Sequence, residues 1–92
     1  MIIRILTQGQ YKIEGHALLE LDSMDNALLD AVAAGAKQQF AANLNKVVGF
    51  VQKNGIKIPD EELVESDLII PAPDTTLQEA QELFVSYPRD LV

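Results

Sequence analysis

Between Ala17 and Asn54 the apolar residues fall into two sets that only helices can gather onto one side. Leu18, Leu21, Leu28, Leu29 and Val32 recur at steps of three, four and seven, and Phe40, Leu44, Val47, Val48 and Val51 do the same. A period near 3.6 places each set on one stripe, while Glu20, Asp22, Asp30, Lys46 and Lys53 fall mostly outside it. Neither helix can hide its stripe alone, so the spacing predicts an antiparallel pair. Each buried aliphatic or Phe side chain contributes roughly 1.5–3 kcal/mol, opposed by the entropy of ordering it.

The helix boundaries are also written in the chain. The break at Gly15-His16 starts the first helix, and Gly35 stops it, because glycine tolerates the left-handed conformation that closes a C-terminus. The second begins near Ala36 or Lys37 with no Ser, Thr, Asp or Asn to cap it, a lack that costs about 0.5–2 kcal/mol. Asn54-Gly55 closes it, with Lys53 suited to the dipole of the last turn and Gly55 to the position beyond. An Asn-Gly hairpin is the competing reading, but the helical pattern before it is too long and regular for a strand.

On the N-terminal side, Ile2–Leu6 and Gln10–Ile13 read as two short strands around Thr7-Gln8-Gly9. Ile3 and Ile5 share one face, with Ile2, Arg4 and Leu6 on the other. Gly9 is placed for the left-handed residue of a three-residue hairpin loop. Two strands are marginal alone and should pack on the helices. Arg4 is read either as a contact residue or as a side chain snorkelling at the sheet edge. Beyond the helices, Ile56–Ile58 is extended before Pro59, residues 60–64 suggest one helical turn, and Leu68–Ile70 a short buried strand or extended segment. A last helix is expected over Leu77–Val85, its apolar face built from Leu77, Ala80, Leu83 and Phe84 and its end set by Tyr87-Pro88. Thr76 and Glu79 form its capping box. The expectation is therefore a small α+β fold in a single domain over residues 1–92. It has an N-terminal β-hairpin packed on an antiparallel helix pair, then a short extended segment and a C-terminal helix, with residues 86–92 a loose tail.

Ninety-two residues supply one modest core, and the composition, 48% hydrophobic and 23% charged, is that of a globular chain. No cysteine is present, which excludes disulfides, thiolate metal sites and thiol catalysis. No window approaches the roughly 18 apolar residues of a bilayer span. The N-terminus also lacks the pattern of a signal peptide, so a cytoplasmic location is expected. The net charge of −7 is uneven: residues 1–58 carry +1 and residues 59–92 carry −8. Such an acidic final third repels nucleic acid and anionic membrane unless the basic residues are segregated onto a separate face. It suits a basic protein partner, or solubility alone.

Catalytic chemistry finds little footing. His16 is the single histidine, and Ser23 and Ser86 sit in no nucleophile motif. Asp60, Glu61 and Glu62 lack the alternating pattern of a calcium loop, and the five glycines form no phosphate-binding signature. The aromatics are not interleaved with a basic run, which argues against single-stranded nucleic acid. Phe50 lies one position off its stripe, either widening the core face or marking a contact patch. No catalytic, cofactor or metal site is assigned.

Several segments together carry a family likeness: Arg4-Ile5 followed by Gly9-Gln10-Tyr11, Leu21-x-x-Met24-Asp25, Gly35, the run from Ile58-Pro59-Asp60-Glu61-Glu62-Leu63 through Val64-Glu65-Ser66-Asp67-Leu68-Ile69-Ile70-Pro71, and Asp74-Thr75-Thr76-Leu77-Gln78-Glu79. The chain resembles the phage shock protein A-associated domain, PspAA, over about residues 1–85. The Pro-Asp-Glu-Glu-Leu-Val-x-Ser-Asp-Leu run is the specific part, and Ala36 departs from the acidic N-cap of the family. The resemblance implies a small companion of phage shock protein A (PspA), a coiled-coil protein that maintains the inner membrane under envelope stress. It implies no catalytic residues and no cofactor. The expected function is a non-enzymatic binding module in the cytoplasm, reaching the inner face of the membrane only through its partner. Asp60, Glu61, Glu62 and Asp67 are the expected contact residues. The alternatives are a homo-oligomeric structural domain with a dimer interface at Phe50 and Leu6, and a small metal-dependent enzyme or metal-binding module around His16 and the acidic run.

Overall fold

A computed structural model describes residues 1–62 and 64–83 of the chain, the latter without the side chain of Leu83. Leu63, Phe84, Val85, Ser86, the Tyr87-Pro88 stop and the tail therefore lie outside the described residues. The elements run β1 (Ile2–Ile5), β2 (Gly9–Lys12), α1 (His16–Ala34), α2 (Lys37–Asn54), β3 (Ile56–Ile58), β4 (Leu68–Ile70) and α3 (Leu77–Leu83).

The helix pair follows the apolar stripes. All five residues of the second stripe, Phe40 to Val51, are buried on α2, and Leu21, Leu28, Leu29 and Val32 are buried on α1. Leu18 packs half-buried against the same core. Gly35 takes the left-handed conformation (φ 67°) and its N–H reaches the carbonyls of Ala31 and Val32. Ala36 makes no side-chain cap. Phe50 is half-buried against the core, so it widens the core face. Asp25 is fully buried, at a position four residues after Leu21 and three before Leu28, inside the stripe itself.

The β-hairpin is the centre of a larger sheet. Four strands lie in the order β3-β2-β1-β4, with β1 parallel to β4 and the other neighbours antiparallel. The extended segments Ile56–Ile58 and Leu68–Ile70 become its edges. Ile3, Ile5, Tyr11, Leu68 and Ile70 share the face that packs on α1 and α2. By alternation, Arg4, Gln10, Ile58 and Ile69, which are register partners across the four strands, occupy the other face.

One turn expectation holds and another changes. Gly9 has positive φ (102°) as the hairpin reading requires, but Thr7 is also left-handed (φ 72°), in the turn closed by the Gln8 N–H to the Ile5 carbonyl at 2.9 Å. Gly55 is extended (φ −86°), so left-handed closure is not its role. A Cβ there would stand 2.7 Å from the Val51 carbonyl oxygen and 3.0 Å from Tyr11 Cβ, so the bare Cα lets the end of α2 meet the sheet.

The C-terminal helix begins as its sequence dictates. Thr76 Oγ1 accepts from the Glu79 N–H at 3.2 Å, and Glu79 Oε1 accepts from the Thr76 N–H at 3.0 Å. Ala80 is fully buried in the shared core, Leu77 is half-buried against it, and Gln81 Nε2 reaches the Val32 carbonyl at 3.4 Å.

Candidate functional site

The acidic run forms a strap. β3 and β4 point the same way at opposite edges of the sheet, so the nine residues 59–67 must cross both central strands. The described ones do so on the face away from the helices, where Gln10 holds Val64 and Ser66. Its Nε2 donates to the Val64 carbonyl and to Ser66 Oγ, each at 2.8 Å. Covered by the strap, Gln10 is only 7% exposed although it points away from the helix core.

Asp60, Glu61, Glu62, Glu65 and Asp67 stand on this strap, which contains no lysine or arginine. Residues 60–62 form a turn closed by the Glu62 N–H to the Pro59 carbonyl at 3.0 Å, in place of the expected helical turn. Proline at the first position and a run of hydrated acids give this turn no apolar side to bury, so no helix propagates from it. Asp60 and Glu62 join Glu65, Val64, Gly9 and Gln10 around an open groove of about 480 Å³, with Arg4 the only cation in its lining among the described residues. Arg4 enters no ion pair among the described residues.

The four predicted contact residues divide. Asp60, Glu61 and Glu62 are exposed together at the β3 end of the strap. Asp67 lies at the β4 end, where its backbone and side chain both bind Ile2. Sequence reasoning missed Gln10 as the anchor. The available signal was a polar residue in a strand whose burial demands something laid over it.

The groove is wide open, and exposed carboxylates there are suited to ion pairing, each contact worth about 0–1 kcal/mol. His16 is exposed at the first residue of α1, away from the groove lining. Among the described residues no three His, Asp or Glu side chains come together to hold a metal ion. Among those residues no helix is long and apolar enough to cross a membrane.

No curated protein and no solved structure matches the chain. A family model described as PspA-Associated protein matches residues 1–89, nearly the whole chain. With its hairpin, helix pair and acidic strap in place, the chain belongs to the PspAA family.

Proposed function

We propose that this domain is a non-enzymatic protein-binding module, a companion of the coiled-coil protein PspA in the envelope stress response. The family match over residues 1–89 carries the reading, since the family is described by an association and not by a reaction. The exposed acids Asp60, Glu61 and Glu62 support it, because they enter no ion pair among the described residues and can face a basic side of a helical partner. Asp67 extends the same surface at the other end of the strap. The domain works in the cytoplasm without a cofactor. The same carboxylates repel anionic lipid, so PspA supplies the approach to the membrane.

Co-sedimentation with a purified PspA homologue at low and high salt tests the reading. Binding that weakens with salt, and that falls when Asp60, Glu61 and Glu62 are reversed to lysine, is expected. Failure of the wild-type chain to bind would remove the partnership, and unchanged binding by the reversed variant would remove the acidic contact.

A second reading, self-association, rests on Ile56 at 71% and Ile69 at 48% exposure, both on strands at the sheet edges. Both are more exposed than Phe50 and Leu6, the half-buried residues that the sequence suggests for such an interface. Light scattering over a concentration series separates this assembly from a monomer.

A further inference from the structure

Within the helix layer the two charge signs are segregated, and α2 is the basic element. α1 contains Glu20, Asp22, Asp25 and Asp30 and no lysine or arginine, whereas α2 contains Lys37, Lys46 and Lys53 and no acid. Lys46 and Lys53 are seven residues apart, two helical turns, and so share one side of α2. Both line an open groove of about 440 Å³ between the helices, where Met24 and Phe50 are half-buried and Glu20 stands on the α1 lip. Neither lysine enters an ion pair among the described residues.

Gly49 lies between the two lysines in the same lining. Nothing stands within 4 Å of the position its Cβ would take, so packing within the chain does not require a glycine there. In a helix interior glycine is less stable than alanine, and what a bare Cα permits in return is close approach from outside.

We propose that this groove seats an acidic amphipathic helix of the partner protein. Apolar side chains of that helix rest on Met24 and Phe50, its backbone crosses close to Gly49, and carboxylates two turns apart meet Lys46 and Lys53. A narrow apolar floor flanked by two cations at two-turn spacing matches one side of such a helix, whereas a flat lipid surface cannot enter a groove between two helices. The inference rests on the protein-binding reading above and adds a second face, on the helices, that selects the charge opposite to the strap's.

Fluorescence anisotropy with two labelled helical peptides tests it. One peptide carries leucines on one side and glutamates at seven-residue spacing; the other has lysines in place of the glutamates. The glutamate peptide should bind the full chain and the lysine peptide should bind at least about tenfold more weakly. Lys46→Glu with Lys53→Glu should reverse that order. Gly49→Ala should raise the melting temperature of the free chain while weakening the peptide, and Gly49→Leu should abolish binding. Equal binding of both peptides, variants that bind like wild type, or lysine-dependent binding to phosphatidylglycerol vesicles in place of the peptide would overturn the inference. With the purified PspA homologue the two ideas separate. Binding indifferent to the groove variants sinks the groove and leaves the partnership. No binding to the homologue, with the peptide behaviour intact, sinks the partnership and leaves the groove.

Discussion

Asp67 holds Ile2 twice: its backbone N–H donates to the Ile2 carbonyl at 2.8 Å, and its Oδ2 accepts from the Ile2 N–H at 2.8 Å. The side-chain bond fastens the start of β1 to the end of the strap, just before β4. Asp67→Ala should therefore destabilise the chain by about 1–2 kcal/mol in urea unfolding, and Asp67→Asn by less because it keeps an acceptor. Reversing Asp60, Glu61 and Glu62 together should leave stability within about 0.5 kcal/mol, since they are exposed surface positions. A binding defect in that triple variant then reports on contact and not on folding.

Gln10 is the other fastening of the strap. Gln10→Ala removes both donors at once and leaves the Val64 carbonyl without that partner. A loss of about 2 kcal/mol is expected. Faster amide exchange in residues 64–66 than in α1 and α2 would show that the strap lifts from the sheet before the helices open.

Thr7 carries the least comfortable backbone of the described residues. A β-branched residue in the left-handed region costs on the order of 1–3 kcal/mol, and asparagine adopts that region more readily. Thr7→Asn should raise the unfolding midpoint, by an amount equivalent to about 1 kcal/mol. An unchanged midpoint would mean that the turn relaxes without help from the side chain.

Glu79 links the C-terminal helix to pH. The bond from the Thr76 backbone, then that from its hydroxyl, hold the Glu79 carboxyl below the usual glutamate range, against a smaller opposing effect of desolvation. A folded-state value below the unfolded one means the stabilisation is complete above the unfolded pKa and disappears as pH falls through the folded one. Glu79→Gln should flatten that acid-side dependence in thermal melts between neutral pH and about pH 3. An identical pH profile in both proteins would assign the dependence to other carboxylates.

Gly55→Ala should be more harmful than Gly35→Ala. The first forces a Cβ against the Val51 carbonyl and Tyr11, with overpacking worth about 1–3 kcal/mol. The second meets open space and strains only the backbone, by about 1–2 kcal/mol. Guanidinium unfolding of the two variants side by side gives the order.

What the sequence made readable was local. The α2 stripe, the left-handed Gly35 and the Thr76–Glu79 box each depend on residues within a turn or two of one another, and each stands as its pattern dictates. The parallel pairing of Ile3 with Leu68 has no such pattern, so the four-stranded sheet was visible only as a hairpin and two extended segments. Asp67 read as a contact residue, and nothing in its strand marked Gln10 as an anchor, because the strap they fasten folds over from far along the chain. Asp25 occupies an apolar position of α1, where helical spacing alone gave no reason to place a carboxylate inside. Gly55 was located correctly but for another cause, close approach by Tyr11 across the tertiary fold.

The β1–β4 pairing also sets an order of events during synthesis. β1 leaves the ribosome well before β4, so one of its edges stays open until a partner some 65 residues downstream emerges. A nascent or truncated chain ending before Leu68 therefore presents an unpaired strand edge in an incomplete sheet, with nothing of its own to cover it.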